Sequence, residues 1–269
     1  MNRRDFIRII QAGSAAAAFS LSCDKTTVNV HPRIYIRKTR KGGLRTVADL
    51  QNAIKTDTHS QKLAQKIIAR ADADIETPPL VPTSIFPGRS LTNAKYGNRD
   101  YSICNAVNKR ILSSALANLL NPQESYKNTV LQQMESLFNP QEWTQWIDDA
   151  HLRFGHPADL RTGMLSQSVA LAFDWLYPYL NSLEKNFILE GLDRCGIQPF
   201  LIAINQDPWW LHDLNNWLTV IVGGLGITGM AVKGDHPDAD KLVKFSNPLM
   251  EKYEYLVSPN ICTWLLTAG

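Results

Sequence analysis

The chain has little that would make a disulfide-stapled, membrane-spanning, strand-rich or nucleic-acid-binding protein. Four cysteines are spread over 269 residues, and Cys104, Cys195 and Cys262 stand far apart without metal-ligand spacing. That excludes a disulfide framework and leaves these three to read as buried neutral thiols. No apolar run reaches the roughly 20 residues that a spanning helix requires. The net charge is only +3, and no Lys/Arg run or nucleic-acid motif is present to track a phosphate backbone. The basic stretch "RIYIRKTRKGGLR" (Arg33 to Arg45) reads as a solvated linker or as a short contact for an anionic ligand. Strand patterns are nearly absent: "RIYI" (Arg33 to Ile36) is the one short candidate, and no hairpin turn follows it.

What is present describes an ordered globular chain, with 44% hydrophobic and 20% charged residues and enough length to bury a substantial core. The first twenty-three residues read as an address. Arg3 and Arg4 precede an Ala-rich, weakly apolar run that ends at Cys23, the pattern of a twin-arginine export signal. "SLSC" (Ser20 to Cys23) is similar to a lipoprotein cleavage site, which would put lipid on Cys23 and tether the mature chain. Ordinary cleavage nearby would instead release it. The expected location is periplasmic or membrane-tethered, and residues 24–45 read as a linker or N-terminal extension.

From Thr46 onward the period is helical. "LAQKIIARADADI" puts Leu63, Ile67, Ile68 and Ala71 on one face. "PPLVPTSIFPG" (Pro78 to Gly88) is a proline-rich break. Helices are predicted over Asp100 to Leu120, Pro122 to Phe138 and Ala158 to Leu180, the last stopped by Pro178. "NSLEKNFILEGLDRCG" opens with Asn181 three residues before Glu184, the spacing of a capping box, and closes on Gly196. Two further helical stretches follow, "NNWLTVIVGGLGITGMAV" and "DADKLVKFSNPLMEKYEYLV". The fold class is all-α, with helical hairpins burying broad faces against one another. Periodicity does not choose between ring, bundle and solenoid.

Two stretches carry the chemistry. "WWLHDLNNW" (Trp209 to Trp217) precedes a helix with glycines at 223, 224, 226 and 229. Each costs about 1 kcal/mol against alanine in a helix, which suggests close approach by a neighbouring backbone. Asn215 or Asn216 either caps this helix or stands at its mouth where a ligand reaches it. Of Trp209, Trp210 and Trp217, one is expected to pack inward and one or two to line a cleft, since flat apolar faces suit sugar rings. "WIDDAHLRFGHPADLRTG" (Trp146 to Gly163) gathers Asp148, Asp149, His151, Arg153, His156, Asp159 and Arg161 around a loop. It could hold a metal through His151, His156 and Asp159, or set two carboxylates for glycoside hydrolysis. It could also line a cleft for an anionic sugar, or form a solvated helix entry.

The order of "HPRIYI", "ALAFDWLYPYLNSLEKNFI" and "WWLHDLNNWLTVIVGGLGITGMAV" resembles the heparinase II/III-like polysaccharide lyases, from about His31 to near Asn260. The resemblance implies an incomplete (α/α) toroid of helical hairpins, normally followed by a β-sandwich domain. It implies β-elimination on a uronic-acid-containing polysaccharide, glycosaminoglycan-like or alginate-like, without cofactor or metal. An asparagine amide neutralises the uronate carboxylate and stabilises the developing enolate-like charge. A tyrosine or histidine then removes the C5 proton, and an acid protonates the departing oxygen.

Carried onto this chain, Asn216 matches the carboxylate neutraliser. Trp217 stands where some members have histidine, with His212 as a substitute. Trp209, Trp210, Asn215, Trp217, His156 and Arg161 are the expected substrate contacts. "LVSPN" (Leu256 to Asn260) resembles the approach to the family's catalytic tyrosine, but "ICTWLLTAG" departs from it. Tyr253 and Tyr255 read as packing residues on a helix. On this reading residues 46–269 are a toroid domain shortened at its C-terminus, with the base beyond Gly269 and activity reduced or lost. The rival readings are an α/α-toroid glycoside hydrolase using Asp149, Asp159 or Asp213, and a non-catalytic glycan-binding lipoprotein.

Overall fold

Capping chemistry sets where the helices begin. A computed structural model describes residues 30–37, 45–82, 99–213 and 215–267, with the backbone alone at 99–100, 149–150 and 254–267. Two-residue strands β1 (Ile36–Arg37) and β2 (Arg45–Thr46) pair in parallel, Ile36 with Arg45. They precede α1 (Val47–Thr56) and α2 (Thr58–Ile75). Thr46 caps α1 in a reciprocal box with Asp49, and Asp57 both ends α1 and caps α2 through the Ser60 N–H. Each such cap satisfies an amide that the first helical turn leaves without a partner. Next come α3 (Arg99–Leu120), α4 (Glu124–Phe138), the short α5 (Asp149–Arg153) and α6 (Leu160–Leu176).

The run continues with a 3₁₀ turn at Tyr177–Tyr179, then α7 (Ser182–Leu192), a π turn at Asp193–Ile197 and α8 (Gln198–Asn205). A 3₁₀ turn at Trp209–Leu211 and a π turn at Leu218–Val222 lead into α9 (Gly223–Ala231) and α10 (Ala239–Thr267). The all-α expectation therefore holds, and among the described residues the one strand pair is minimal. Among the described residues no helix is long and apolar enough to cross a membrane.

Helix α6 is the axis of the molecule. Apart from Arg161, Gln167 and Asp174 its residues are apolar or small, and fifteen of its seventeen residues are buried. A helix without a polar face must lie inside. It packs against α3 on one side and α9 on the other, while α3 also pairs with α4, α6 with α7, and α9 with α10. Short connections make these successive pairs antiparallel hairpins. The first members, α3, α6 and α9, lie side by side, and α4 touches α7 behind them.

The glycines of α9 are explained by this packing. A Cβ on Gly224 would collide with the Gly163 carbonyl, and one on Gly163 with the Val220 carbonyl. The two backbones meet where no side chain fits, the close approach inferred from composition.

One boundary differs from expectation. Gly196 does not end a helix; the chain stays helical from Ser182 to Asn205 through the π turn. A Cβ at Gly196 would strike the Ser166 side chain on α6, so this glycine serves packing, not capping. The cap at the other end is as expected: Asn181 and Glu184 form the reciprocal box, at 2.8 and 2.9 Å. Cys104 and Cys195 are free thiols, and burial pushes the Cys195 thiol up, which keeps it neutral. Tyr253 packs against the core. The side chains of Tyr255 and Cys262 lie outside the described residues, as does the leader with Cys23.

The segment 30–37, read from sequence as part of a linker, is docked. His31, Ile34 and Ile36 are buried. Asp174, near the end of α6 and fully buried, accepts the Arg33 N–H at 2.9 Å and the Ile34 N–H at 2.9 Å. Trp175 donates its indole N–H to the Ile34 carbonyl at 3.0 Å. "HPRIYI" and "FDWLY", widely separated in sequence, are thus one physical unit. Arg33 is part of it: its guanidinium donates to the Lys233 carbonyl at 2.8 Å.

Candidate functional site

At the opposite end of α6, the segment from Trp146 to Arg161 folds onto the first turn of the helix. Asp159 is its N-cap, with Oδ1 accepting the Arg161 N–H at 2.7 Å and Oδ2 accepting the Asp148 N–H at 2.8 Å. Thr162 completes the capping box, taking the Asp159 N–H at 3.1 Å and donating to the Trp146 carbonyl at 2.8 Å. Arg161 donates to the Ile147 carbonyl at 2.8 Å. The loop is therefore tied down at several backbone points, and a loop held this way can position side chains precisely.

What it positions is His151. The His151 N–H donates to Asp148 Oδ1 at 2.9 Å, and the ring Nδ1 lies 2.7 Å from Asp148 Oδ2 and 3.5 Å from Asp159 Oδ2. A ring nitrogen facing two carboxylates carries the hydrogen. Nδ1 is buried against the carboxylates at ion-pair distance without the alignment of a hydrogen bond. With the hydrogen there, Nε2 of the neutral imidazole holds the lone pair, and no hydrogen bond to it is found among the described residues. Burial pushes Asp148 up, but the His151 N–H and imidazole, with the Arg161 charge, outweigh it and hold the carboxyl below its ordinary value. Burial dominates at Asp159 and raises it, although two backbone N–H groups and His151 oppose the rise.

The second stretch meets the first here. Asn215 Oδ1 accepts the Trp217 N–H at 2.9 Å and the Leu218 N–H at 3.1 Å, so Asn215 is the cap of the helical run that leads into α9. That cap sets Trp217 with its ring 4.7 Å from His151, edge to face, and 5.3 Å from Trp209. His156 adds a ring 5.8 Å from His151. The result is an aromatic shelf of Trp209, Trp217, His151 and His156 at the N-terminal end of α6. Asn216 stands beside it, exposed, and among the described residues its side-chain amide has no hydrogen-bond partner. Phe154, on the same loop, is exposed at the surface.

Four expected site residues fall elsewhere. Trp210 is 1% exposed and belongs to the core, because the 3₁₀ turn sends consecutive indoles in different directions. It is the inward tryptophan, not a sugar platform. Arg161 is 5% exposed and its guanidinium is held by the Ile147 carbonyl, so it braces the loop instead of reaching a ligand. Asn215 spends its side-chain oxygen on the cap. His212 faces solvent and pairs with Asp207 at 2.9 Å. Trp209, at 49% exposed, Trp217 and His156 form the shelf, and Asn216, next to Trp217 in the chain, is exposed.

Two groups have carboxylate and imidazole atoms close enough to hold a cation: Asp148, His151 and Asp159, and separately Asp193, His236 and Asp238, each within 4.8 Å. The first differs from the set expected in sequence, with Asp148 in place of His156. In the second, His236 accepts the Asp238 N–H on Nδ1 at 3.2 Å and so donates from Nε2 to Asp193 at 3.1 Å. Both its nitrogens are engaged, and Gln198 bridges the two carboxylates at 2.8 and 3.1 Å.

The carboxylate pair required for hydrolysis is not assembled from Asp159, which is fully buried with both oxygens on backbone amides. The Asp149 side chain lies outside the described residues. Sequence reasoning underrated Asp148 and His151, although an Asp three residues before a His at a helix start is a readable i,i+3 pair. Neither a protein-family model nor a curated protein matches this chain.

Proposed function

We propose that the chain is the helical part of a polysaccharide lyase that cleaves a uronic-acid-containing polymer by β-elimination, with its hairpins arranged as an arc of an (α/α) toroid. The observation that carries the reading is the convergence of Trp209 and Trp217 with the histidine-bearing loop, beside the exposed Asn216 that precedes Trp217 in the chain. Indole faces suit sugar rings. An amide without a partner among the described residues suits a uronate carboxylate, whose charge must be offset before the C5 proton becomes acidic. The arc is supported by the side-by-side packing of α3, α6 and α9, each backed by its own hairpin partner.

In this reading Asn216 neutralises the carboxylate, and Trp209 and Trp217 carry the sugars. His156 lies within reach of the acidic chain. The step itself calls for no cofactor. The protein is exported through its twin-arginine leader and held at the membrane by lipid on Cys23. Incubation with alginate, heparosan and heparan sulfate, followed by the absorbance of unsaturated uronate, tests the reaction. Binding without an unsaturated product would mark a glycan-binding protein, and cleavage without a double bond would mark a hydrolase.

A further inference from the structure

We infer that His151 is the proton-transfer residue of this site, so that the base for elimination lies within the chain; the inference rests on the lyase reading above. The ring is fixed by position. Asp148 and Asp159, both buried, face Nδ1 at 2.7 and 3.5 Å; backbone N–H groups hold both Asp159 oxygens and Asp148 Oδ1. Trp217 packs against the ring at 4.7 Å and His156 stands 5.8 Å away. With Nδ1 turned to the carboxylates, Nε2 is the atom left to act. A carboxylate behind an imidazole orients it, fixes its tautomer and stabilises the imidazolium that forms. Asn216 directly precedes Trp217 in the same helical turn, exposed to solvent, which puts its backbone next to the ring that packs on His151.

The step balances with this one residue. Nε2 takes the C5 proton, the C5–H electron pair becomes the C4=C5 bond, and the C4–O4 bond breaks with its electrons on O4. The imidazolium returns the same proton to O4, giving an alcohol end, an unsaturated uronate and a neutral His151. A single shuttle requires the C5 hydrogen and O4 on the same face of the ring. D-Mannuronate and D-glucuronate have that arrangement; L-guluronate and L-iduronate place the two on opposite faces. The substrate class is therefore a polymer of uronates that carry H5 and O4 on one face, D-mannuronate or D-glucuronate, and D-galacturonate, with O4 on the other face, is excluded with the two L-uronates.

The test is turnover of polymannuronate, heparosan and polyguluronate by the full chain, with polymer binding followed separately by tryptophan fluorescence. Cleavage of polymannuronate or heparosan at least about 10-fold faster than of polyguluronate is expected. His151→Ala and His151→Gln should lose about 100-fold in rate or more, in the range for a general acid–base group, while polymer binding falls far less than the rate and the circular dichroism spectrum stays unchanged. Added imidazole should restore turnover to His151→Ala, which it would not do for a merely structural residue.

A folded variant that keeps its rate, or a loss that imidazole does not rescue in His151→Ala, overturns the assignment. Equal or faster cleavage of polyguluronate does the same. Polymer binding without any product also overturns it and leaves glycan recognition standing. Failure to bind any of the three polymers removes the lyase reading itself.

Discussion

His31 Nδ1 lies 2.6 Å from Asp174 Oδ1, across 143 residues of sequence, and the His31 ring stacks on Tyr177 at 3.8 Å. The pair is a clamp between the first described segment and the end of the central helix. Asp174 also accepts the backbone N–H groups of Arg33 and Ile34. Truncating it would leave buried donors unpaired, at about 1–3 kcal/mol each. Asp174→Ala is therefore expected to cost about 3 kcal/mol or more in urea unfolding and to expose residues 30–37 to early amide exchange.

Asp235 gives the same clamp a pH dependence. Burial pushes its carboxyl up, but hydrogen bonds from His31 and Tyr177, with the charges of His31 and Arg33, hold it below its ordinary value. A depressed carboxylate contributes stability that is present above the unfolded pKa of about 3.9 and lost as pH falls through the lower folded value. Asp235→Asn should be less stable than the parent at pH 7 by about 2 kcal/mol, in the range of a hydrogen bond to a charged group. The gap in Tm should narrow steadily below about pH 4. A gap of constant size across that range would remove Asp235 as the source.

The two adjacent tryptophans separate stability from recognition. Trp210→Ala empties a filled core position and should cost about 3–5 kcal/mol. Trp209→Ala removes a half-exposed indole and should leave Tm nearly unchanged. If Trp209 carries sugar, its loss should weaken polymer binding about 10-fold or more, at the 1.4 kcal/mol per decade that relates affinity to free energy. Thermal unfolding and a binding titration on the same two variants read both effects.

The crossing of α6 with α9 predicts that Gly224→Ala is harmful even though alanine is the better helix former. Propensity would gain about 1 kcal/mol, but the Cβ meets the Gly163 carbonyl, a backbone atom that cannot turn away. Overpacking of this kind costs about 1–3 kcal/mol or more. A net loss in denaturant midpoint is expected, with a matching loss for Gly163→Ala.

Local chemistry was legible in the sequence; meetings at a distance were not. Asn181 and Glu184 announce their cap by spacing alone, and the mostly apolar or small residues of 160–176 announce a long apolar helix. The glycines of α9 announce a close crossing without saying against what. Nothing local says that His31 meets Asp174, or that the Trp146–Arg161 loop meets Trp217, because those pairings depend on how whole hairpins stack. The fate of adjacent Trp209 and Trp210 is equally hidden, since successive side chains of any helical turn diverge by about 100–120° and the packing of other hairpins decides which indole goes inward. The π turns at Asp193–Ile197 and Leu218–Val222 have no composition signature, yet the second lies on the helical run capped by Asn215.

Asn215 and Asn216 now have separate duties, and the separation can be measured. From spacing either could cap the helix; in the structure Asn215 Oδ1 takes both the Trp217 and Leu218 amides. Asn215→Ala should cost about 1 kcal/mol, the usual penalty for a lost N-cap, and should loosen Trp217 and with it the packing on His151. Asn216 is exposed and among the described residues its amide has no partner to lose, so Asn216→Ala should leave Tm within a degree or so of the parent, as surface changes of under about 0.5 kcal/mol do. If Asn216 neutralises a uronate carboxylate, the same change should lower turnover about 100-fold or more, the scale seen when a preorganised donor to a developing anion is removed. A stable Asn216→Ala chain that turns over at the parent rate would strip Asn216 of that role, while an Asn215→Ala chain as stable as the parent would remove the cap.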